Sequence, residues 1–203
     1  MKVVRALGLA TVLGAGFGAS VSLINDVSSP YGDLGGRLVA AGWSGVTDVA
    51  EVGSLVVDVG WAWAAVAVAA GWLAGAIVLG AVAGVVSLMS ATAAYYLMDS
   101  VLREESVTGY AGEARYWWMA SLMFGPFLGA VGAMLGRSGM IGLLAIMIVP
   151  VGALVQVLFL RPGLASTTRP AALWAVVIVC TAAMAAISLG VARFLTQRGE
   201  RPA

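Results

Sequence analysis

Three aspartates lie within or directly beside long apolar segments of this 203-residue chain, where an acidic side chain is energetically costly. Asp58 and Asp99 are the only charged residues in the stretch 53–101, and Asp26 follows the first apolar run. An aspartate in surroundings of low dielectric constant holds its proton more readily than one in water. A proton held in this way can be donated to a bound molecule. The three aspartates are therefore candidate general acids.

Aromatic side chains accompany two of these acids at helical spacing. Trp61 follows Asp58 by three residues, and Tyr95 and Tyr96 precede Asp99 by about one helical turn. The faces of aromatic rings carry negative charge density and stabilise a nearby cation. An acid beside such rings in apolar surroundings favours protonation of an alkene or epoxide and control of the carbocation that forms.

Each of these residues also has a simpler interpretation. An aspartate near a helix end often only caps the helix, and Trp61 is placed where it could anchor a span at the lipid headgroups. Trp117, which opens a later apolar run, is typical of an interfacial aromatic belt. If the acids are catalytic, the candidate residues for binding substrate and cation are Trp61, Tyr95, Tyr96 and Trp117.

Composition places the chain in the membrane class. Hydrophobic residues make up 61% of it and charged residues only 10%, which lies outside the range of soluble domains. There is no histidine and only one cysteine, Cys180, so zinc, haem or disulfide chemistry is not expected. The net charge of +1 indicates no nucleic-acid partner. We therefore expect a lipid bilayer as the surrounding medium, and no metal or other cofactor.

Six apolar runs predict a single all-α transmembrane domain over residues 1–203, a polytopic bundle of about six helices. The first run also fits a cleavable signal peptide, but its length favours a retained helix. Segment 26–52 is rich in glycine and acids, and we interpret it as a loop with room for an interfacial or re-entrant helix. The predicted spans are 3–25, 54–73, 76–99, 116–136, 138–160 and 171–194.

Basic residues orient these spans. With both termini in the cytoplasm, that side holds Lys2, Arg5, Arg137, Arg193, Arg198 and Arg201. Cytoplasmic segments of membrane proteins carry such an excess of lysine and arginine. The sequence thus predicts a multi-pass protein of the cell membrane with cytoplasmic N- and C-termini. Asp26, Asp58 and Asp99 then fall near the outer ends of the first three spans, where one cavity could serve all three.

Several short motifs resemble those of small actinobacterial integral-membrane terpene cyclases of the drimane type. They are SLINDVSSP after the first span, YYLMDS at the end of the third, and the later GWAWAAVAVAAG and FGPFLGAVGAMLGR, which are also similar to a broader group of uncharacterised actinobacterial membrane proteins. The resemblance implies cyclisation of a prenylated indole or a related meroterpenoid precursor, started by an acid. It implies Asp26 and Asp99 as the acids, with Asp58 as a third.

Two other classes of function remain open at this stage. A small proton-coupled transporter also uses acids within its spans, whereas a structural membrane protein needs none. A transporter typically contains an internal repeat, but this sequence shows no three-plus-three repeat and carries all three aspartates in its first half. We therefore favour the enzyme. Asp99 is the first candidate for the proton donor, because two tyrosines lie one turn before it, and Asp26 is the second.

Overall fold

The computed structural model describes residues 1–160 and 169–199, with side chains up to Gln197, and these residues form an all-α bundle, as predicted. The side chain of Arg198 and the whole of Arg201 lie outside the described residues. A 3-10 turn, Val107–Tyr110, leads into the sixth helix, and a π-helical turn, Gln156–Leu160, extends the seventh. The helices are α1 (Lys2–Ser28), α2 (Asp33–Ala40), α3 (Ser44–Val57), α4 (Gly60–Ala74), α5 (Ile77–Leu102), α6 (Ala111–Met134), α7 (Met140–Val155) and α8 (Pro170–Gly199).

Five of these helices are long and apolar enough to cross a membrane: α1, α5, α6, α7 with its π-helical turn, and α8. The pair of α3 and α4 passes the same test as one bent span, which gives six. A helix needs about 20 mainly apolar residues to span the hydrocarbon core, and α4 alone is too short to do so. The chain is a multi-pass membrane protein built from these spans.

The segment between the first two spans differs from the expectation. The predicted loop 26–52 contains α2 and most of α3, and the predicted span 54–73 is divided between α3 and α4. The two helices are inclined by 65° to each other, with the break at Asp58. Hydropathy did not reveal α3 because Asp48 and Glu51 make it resemble a polar connector, although a helix tolerates such residues on one face.

Helix α5 is the centre of a tightly packed group with α1, α4 and α6. Gly18 of α1 lies so close to α5 that a Cβ atom there would be 1.9 Å from the carbonyl oxygen of Ala91. A Cβ atom at Gly129 of α6 would be 2.0 Å from the carbonyl oxygen of Gly80 in α5. In lipid, where no hydrophobic effect drives helices together, close backbone contact supplies van der Waals attraction instead. The small residues therefore fix how α1, α5 and α6 are placed.

Helices α7 and α8 pack on each other and join the remaining helices by larger side chains. One contact is an apolar cluster of Val56, Trp61, Ala153, Val157 and Val179, and a second cluster, around Val68, Val131 and Ala145, joins α7 to α4 and α6. An ion pair between Arg169, just before α8, and Glu51 of α3 adds a polar contact at the surface. This pair of helices is therefore held to the bundle largely through α3 and α4.

The two ends of the bundle differ in charge. We call the end at which α1 and α5 finish and α4 and α6 begin the Asn25 end, and the opposite end the Lys2 end. The α4–α5 turn lies at the Lys2 end and passes through Gly75, whose φ of +72° suits glycine. The same end carries the basic residues Lys2, Arg5, Arg137 and Arg193. The acids proposed for chemistry lie at the Asn25 end.

Candidate functional site

Asn25, near the end of α1, joins three helices through one amide group. Its Nδ2 atom donates hydrogen bonds to Oδ2 of Asp58 at 2.8 Å and to the hydroxyl oxygen of Tyr95 at 3.2 Å. Its Oδ1 atom accepts a hydrogen bond from the hydroxyl of Ser54 at 2.7 Å. We call Asn25, Ser54, Asp58 and Tyr95 the Asn25 network. It ties α1 to α5 and to the break between α3 and α4.

Asp58 is the acid of this network, and its partner is neutral. Among the described residues, its carboxyl group forms no ion pair, and the hydrogen bond from Asn25 is the one it accepts. A neutral partner allows a carboxyl group to exist in both the protonated and the ionised form, as acid–base chemistry requires. The hydroxyl oxygen of Tyr95 accepts from Asn25, so its own proton is directed elsewhere. Among the described residues, Oδ1 of Asp58 accepts no hydrogen bond.

A row of five aromatic rings runs through this part of the bundle. The ring centroids are separated by 5.4 Å between Phe17 and Trp63, 6.2 Å between Trp63 and Tyr95, 5.2 Å between Tyr95 and Tyr96, and 5.3 Å between Tyr96 and Tyr110. These are normal distances for interacting aromatic pairs. Tyr95 belongs both to the row and to the Asn25 network, so the row is linked to Asp58 through Asn25, which donates to both residues.

Asp26 is buried, and both of its carboxylate oxygens accept hydrogen bonds from the backbone of α2. Its Oδ1 and Oδ2 atoms accept hydrogen bonds from the N–H groups of Asp33 at 3.0 Å and Leu34 at 2.9 Å. The first N–H groups of a helix have no partner within the helix, and a carboxylate is well suited to satisfy them. The contacts of Asp26 are thus those of a structural residue that attaches α2 to the end of α1.

Asp99 is also buried, but it is paired with a cation. The Nε atom of Arg103, one turn further along, lies 3.1 Å from its Oδ2 atom and 3.2 Å from its Oδ1 atom. The negative charge of Asp99 raises the pKa of Arg103 above its ordinary value. An acid in such a pair is stabilised as a carboxylate, which suits a structural role better than proton donation.

The aromatic residues expected around the acids are divided between two places. Tyr95 and Tyr96 are in the aromatic row, whereas Trp61 packs into the apolar cluster with α7 and α8. Trp117 is 53% exposed; its ring packs on Tyr116 at 5.3 Å, and its side chain also interacts with that of Tyr96. The tryptophan in the row is Trp63, which lies on another side of α4 from Trp61.

A polar cavity of about 480 Å³ opens beside the Asn25 network, between the α1–α2 turn and the end of α5. Its lining includes Asn25, Asp26, Asp33, Arg103, Glu104 and Glu105. Of the three candidate acids, Asp26 lines it, and Asp58 and Asp99 do not. The prediction that all three acids face one cavity is therefore wrong for this cavity. Asn25 is the residue that belongs both to the cavity and to the network around Asp58.

Comparison with known proteins yields no match. No family model matches the chain, and no curated protein or solved structure matches it either. Within residues 1–160 and 169–199, no group of three metal-ligating side chains is found.

Sequence reasoning missed Asn25, Ser54 and Trp63. Asn25 directly precedes Asp26 in the motif SLIND, and the charged aspartate is the more obvious candidate for chemistry. Helical periodicity offered a signal: Phe17 lies eight residues before Asn25, so both fall on one face of α1. Trp61 and Trp63 are two residues apart and point to different sides of a helix, and composition cannot say which side faces α5.

Proposed function

We propose that this protein is a membrane-bound terpene cyclase of the acid-initiated type, which acts on a prenylated indole or a related meroterpenoid. The observation that carries the proposal is an acid with a neutral partner, Asp58, beside a row of aromatic rings within a membrane bundle. These are the groups that protonation of an apolar substrate and control of a carbocation require. The resemblance of SLINDVSSP and YYLMDS to such cyclases agrees with it.

Asp58 starts the reaction in this proposal. The proton on its Oδ1 atom passes to a carbon of an alkene, or to the oxygen of an epoxide whose C–O bond then breaks. The π electrons of neighbouring double bonds close the rings, and the last cation loses a proton to form a new alkene. Protons gained and lost balance, so the product is an isomer of the substrate. The hydrogen bond from Asn25 stabilises the carboxylate that Asp58 becomes between these steps.

The aromatic row guides the cation. Tyr95 is linked to Asp58 through Asn25 and contacts Trp63, and in this proposal the faces of these two rings stabilise positive charge as it moves away from the acid. Neither histidine nor lysine can capture a proton there, because the chain has no histidine and its one lysine, Lys2, lies at the opposite end. A prenylated substrate reaches such a site from the bilayer, in which it dissolves.

The contacts of Asp26 and Asp99 lower their rank as candidate proton donors. Asp26 is engaged by the backbone of α2, and Asp99 by Arg103. Each is therefore assigned a positioning role in this proposal, which leaves Asp58 as the proton donor. Asp26 keeps α2 over the polar cavity, and Asp99 keeps the end of α5, with Tyr95 and Tyr96, in place.

The distribution of charge supports an orientation in the cell membrane. Lys2, Arg5, Arg137 and Arg193 gather at the Lys2 end, which we place in the cytoplasm together with both termini. The Asn25 end then faces outward. Reporter fusions to the turns at Gly75 and at Glu104 test this: activity of a cytoplasmic reporter at Gly75 is expected, and activity at Glu104 instead would reverse the orientation.

The reaction itself is tested with membranes that contain the protein and with membranes from cells that lack it. Both are incubated with a farnesylated indole and with its terminal epoxide, and the ring pattern of any product is determined by mass spectrometry and NMR. The proposal expects cyclised product from at least one substrate, in the first membranes only. No product from either would contradict it, and proton movement into proteoliposomes on addition of a solute would favour the transporter.

A further inference from the structure

At the break between α3 and α4, the first backbone N–H groups of α4 need hydrogen-bonding partners from outside the helix. The first N–H groups of any helix lack partners within the helix, and in a membrane they must be satisfied by protein or by water in a cavity. At the start of α4, the N–H groups of Ala62 and Trp63 reach the carbonyl oxygen of Val59. No side chain at the capping position, Val59, provides for the N–H group of Trp61.

Gln156 supplies that partner from another helix. Its Oε1 atom accepts a hydrogen bond from the N–H group of Trp61 at 3.0 Å, across 95 residues of sequence. Gln156 also lies beside Gly60, where a Cβ atom would be in ordinary contact with Oε1 at 3.4 Å. Gln156 is the first residue of the π-helical turn that extends α7. Such single wide turns are uncommon and occur often at functional positions.

The break is held on two sides by side-chain amides. From the α1 side, Asn25 binds Ser54 at the end of α3 and Asp58 at the break itself. From the α7 side, Gln156 binds the first turn of α4. Beside Gln156, the apolar cluster with α7 and α8 includes Val56, which lies before the break, and Trp61, which lies after it. Helix α7 with its π-helical turn thus contacts both helices that meet at Asp58.

We propose that Gln156 is a positioning residue, which holds the α3–α4 break in the bend that brings Asp58 to Asn25 and Tyr95. The pair of α7 and α8 then controls the geometry of the acid without contacting it. When the hydrogen bond from Trp61 to Gln156 is lost, the break opens and Asp58 leaves the Asn25 network. This inference concerns the fold around Asp58 and holds whether or not the protein is a cyclase.

Labelling of a cysteine at the break tests the proposal without any substrate. Val59 is 6% exposed, so a cysteine at this position reports opening of the break by its reaction with a maleimide. The experiment uses the full chain in nanodiscs, in a Cys180→Ala background that removes the natural thiol. Gln156→Leu is expected to accelerate labelling of Val59→Cys about tenfold or more, because it leaves the N–H group of Trp61 without a partner. Hydrogen exchange at the first turn of α4 should accelerate with it.

Two further variants separate positioning from a general loss of structure. Gln156→Glu keeps a carbonyl oxygen at the same distance and is expected to restore slow labelling. Leu158→Ala removes an exposed side chain from the same π-helical turn, and its labelling should equal that of the parent. If Gln156→Leu gives no monodisperse protein, Gln156→Asn, shorter by one methylene group, makes the same comparison. Labelling and exchange at parental rates in Gln156→Leu, or in Gln156→Asn where that replaces it, would overturn the proposal, as would fast labelling in Gln156→Glu.

Discussion

Two regions meet at the Asn25 end, and they are held together by different forces. In the first, α1, α5 and α6 touch through backbone atoms at Gly18, Ala91 and Gly129, with no room for a side chain between them. In the second, α4 also packs closely on α6, at Gly71 and Gly132, but the break that joins it to α3 is held by hydrogen bonds from Asn25 and Gln156. The first region carries Tyr95, and the second carries Asp58.

This difference assigns a separate task to each region. Close backbone packing leaves little freedom for adjustment, so the first region acts as the scaffold on which Asn25 and Tyr95 are fixed. A few hydrogen bonds of about 1 kcal/mol each can be broken and remade, so the second region can change its bend. An acid that is to meet a bulky apolar substrate is better placed on the adjustable side, with its partners on the fixed side.

The largest effect is expected from a mutation in the first region, the scaffold of α1, α5 and α6. Gly18→Leu introduces atoms where even a Cβ would lie 1.9 Å from a carbonyl oxygen, so α1 and α5 must separate. Overpacking of this kind typically costs about 1–3 kcal/mol and sometimes more, and we expect no monodisperse protein. Gly16→Leu is the matched control, since a Cβ at Gly16 meets nothing within 4 Å. Size-exclusion profiles in detergent check the pair, and folded Gly18→Leu with normal thermal stability would refute the description of the scaffold.

A smaller effect is expected where α2 is attached to the scaffold. Asp26→Ala leaves the N–H groups of Asp33 and Leu34 without their acceptor, at a cost of about 1–3 kcal/mol. Hydrogen exchange in α2 should accelerate about tenfold or more, while exchange in α1 and α5 stays unchanged. Asp33→Ala, which removes an exposed carboxylate paired with Arg37 but keeps the backbone N–H that Asp26 accepts, is the control on the same helix. Equal exchange in Asp26→Ala and wild type would show that Asp26 has another role.

The smallest effect concerns the two tryptophans of α4. Trp63→Leu removes a ring from the aromatic row, and we expect a loss of about 1–2 kcal/mol in cation stabilisation, or roughly 5- to 30-fold in rate. Products released before full cyclisation should appear as well. Trp61→Leu, on the side of α7 and α8, removes no ring from the row and should not release these early products. Analysis of products by mass spectrometry compares them, and the reverse pattern would place the substrate on the other face of α4.

The sequence predicted the first region better than the second. Apolar runs report contact with lipid, so the long spans α1, α5, α6 and α8 could be located from hydropathy alone. The bend at Asp58 could not, because it depends on Gln156, an isolated amide 98 positions later whose partner is a backbone N–H group. The roles of the acids were also hidden. Asp26, Asp58 and Asp99 are alike in sequence context, and only their partners, a helix backbone, a neutral amide and an arginine, distinguish them.

The proposed role of Asp58 as proton donor can be tested by removing its acidic proton. Asp58→Asn keeps the size of the side chain and an oxygen that accepts from Asn25, so the variant should fold and bind substrate. General acid catalysis typically contributes 10²–10⁴-fold, and the initial rate of cyclisation should fall by about that factor. Asp48→Asn, an exposed residue of α3, serves as the control and should retain the wild-type rate. Cyclisation by Asp58→Asn at the wild-type rate would contradict this role for Asp58. The contradiction would be stronger still if a folded Asp99→Asn variant were inactive.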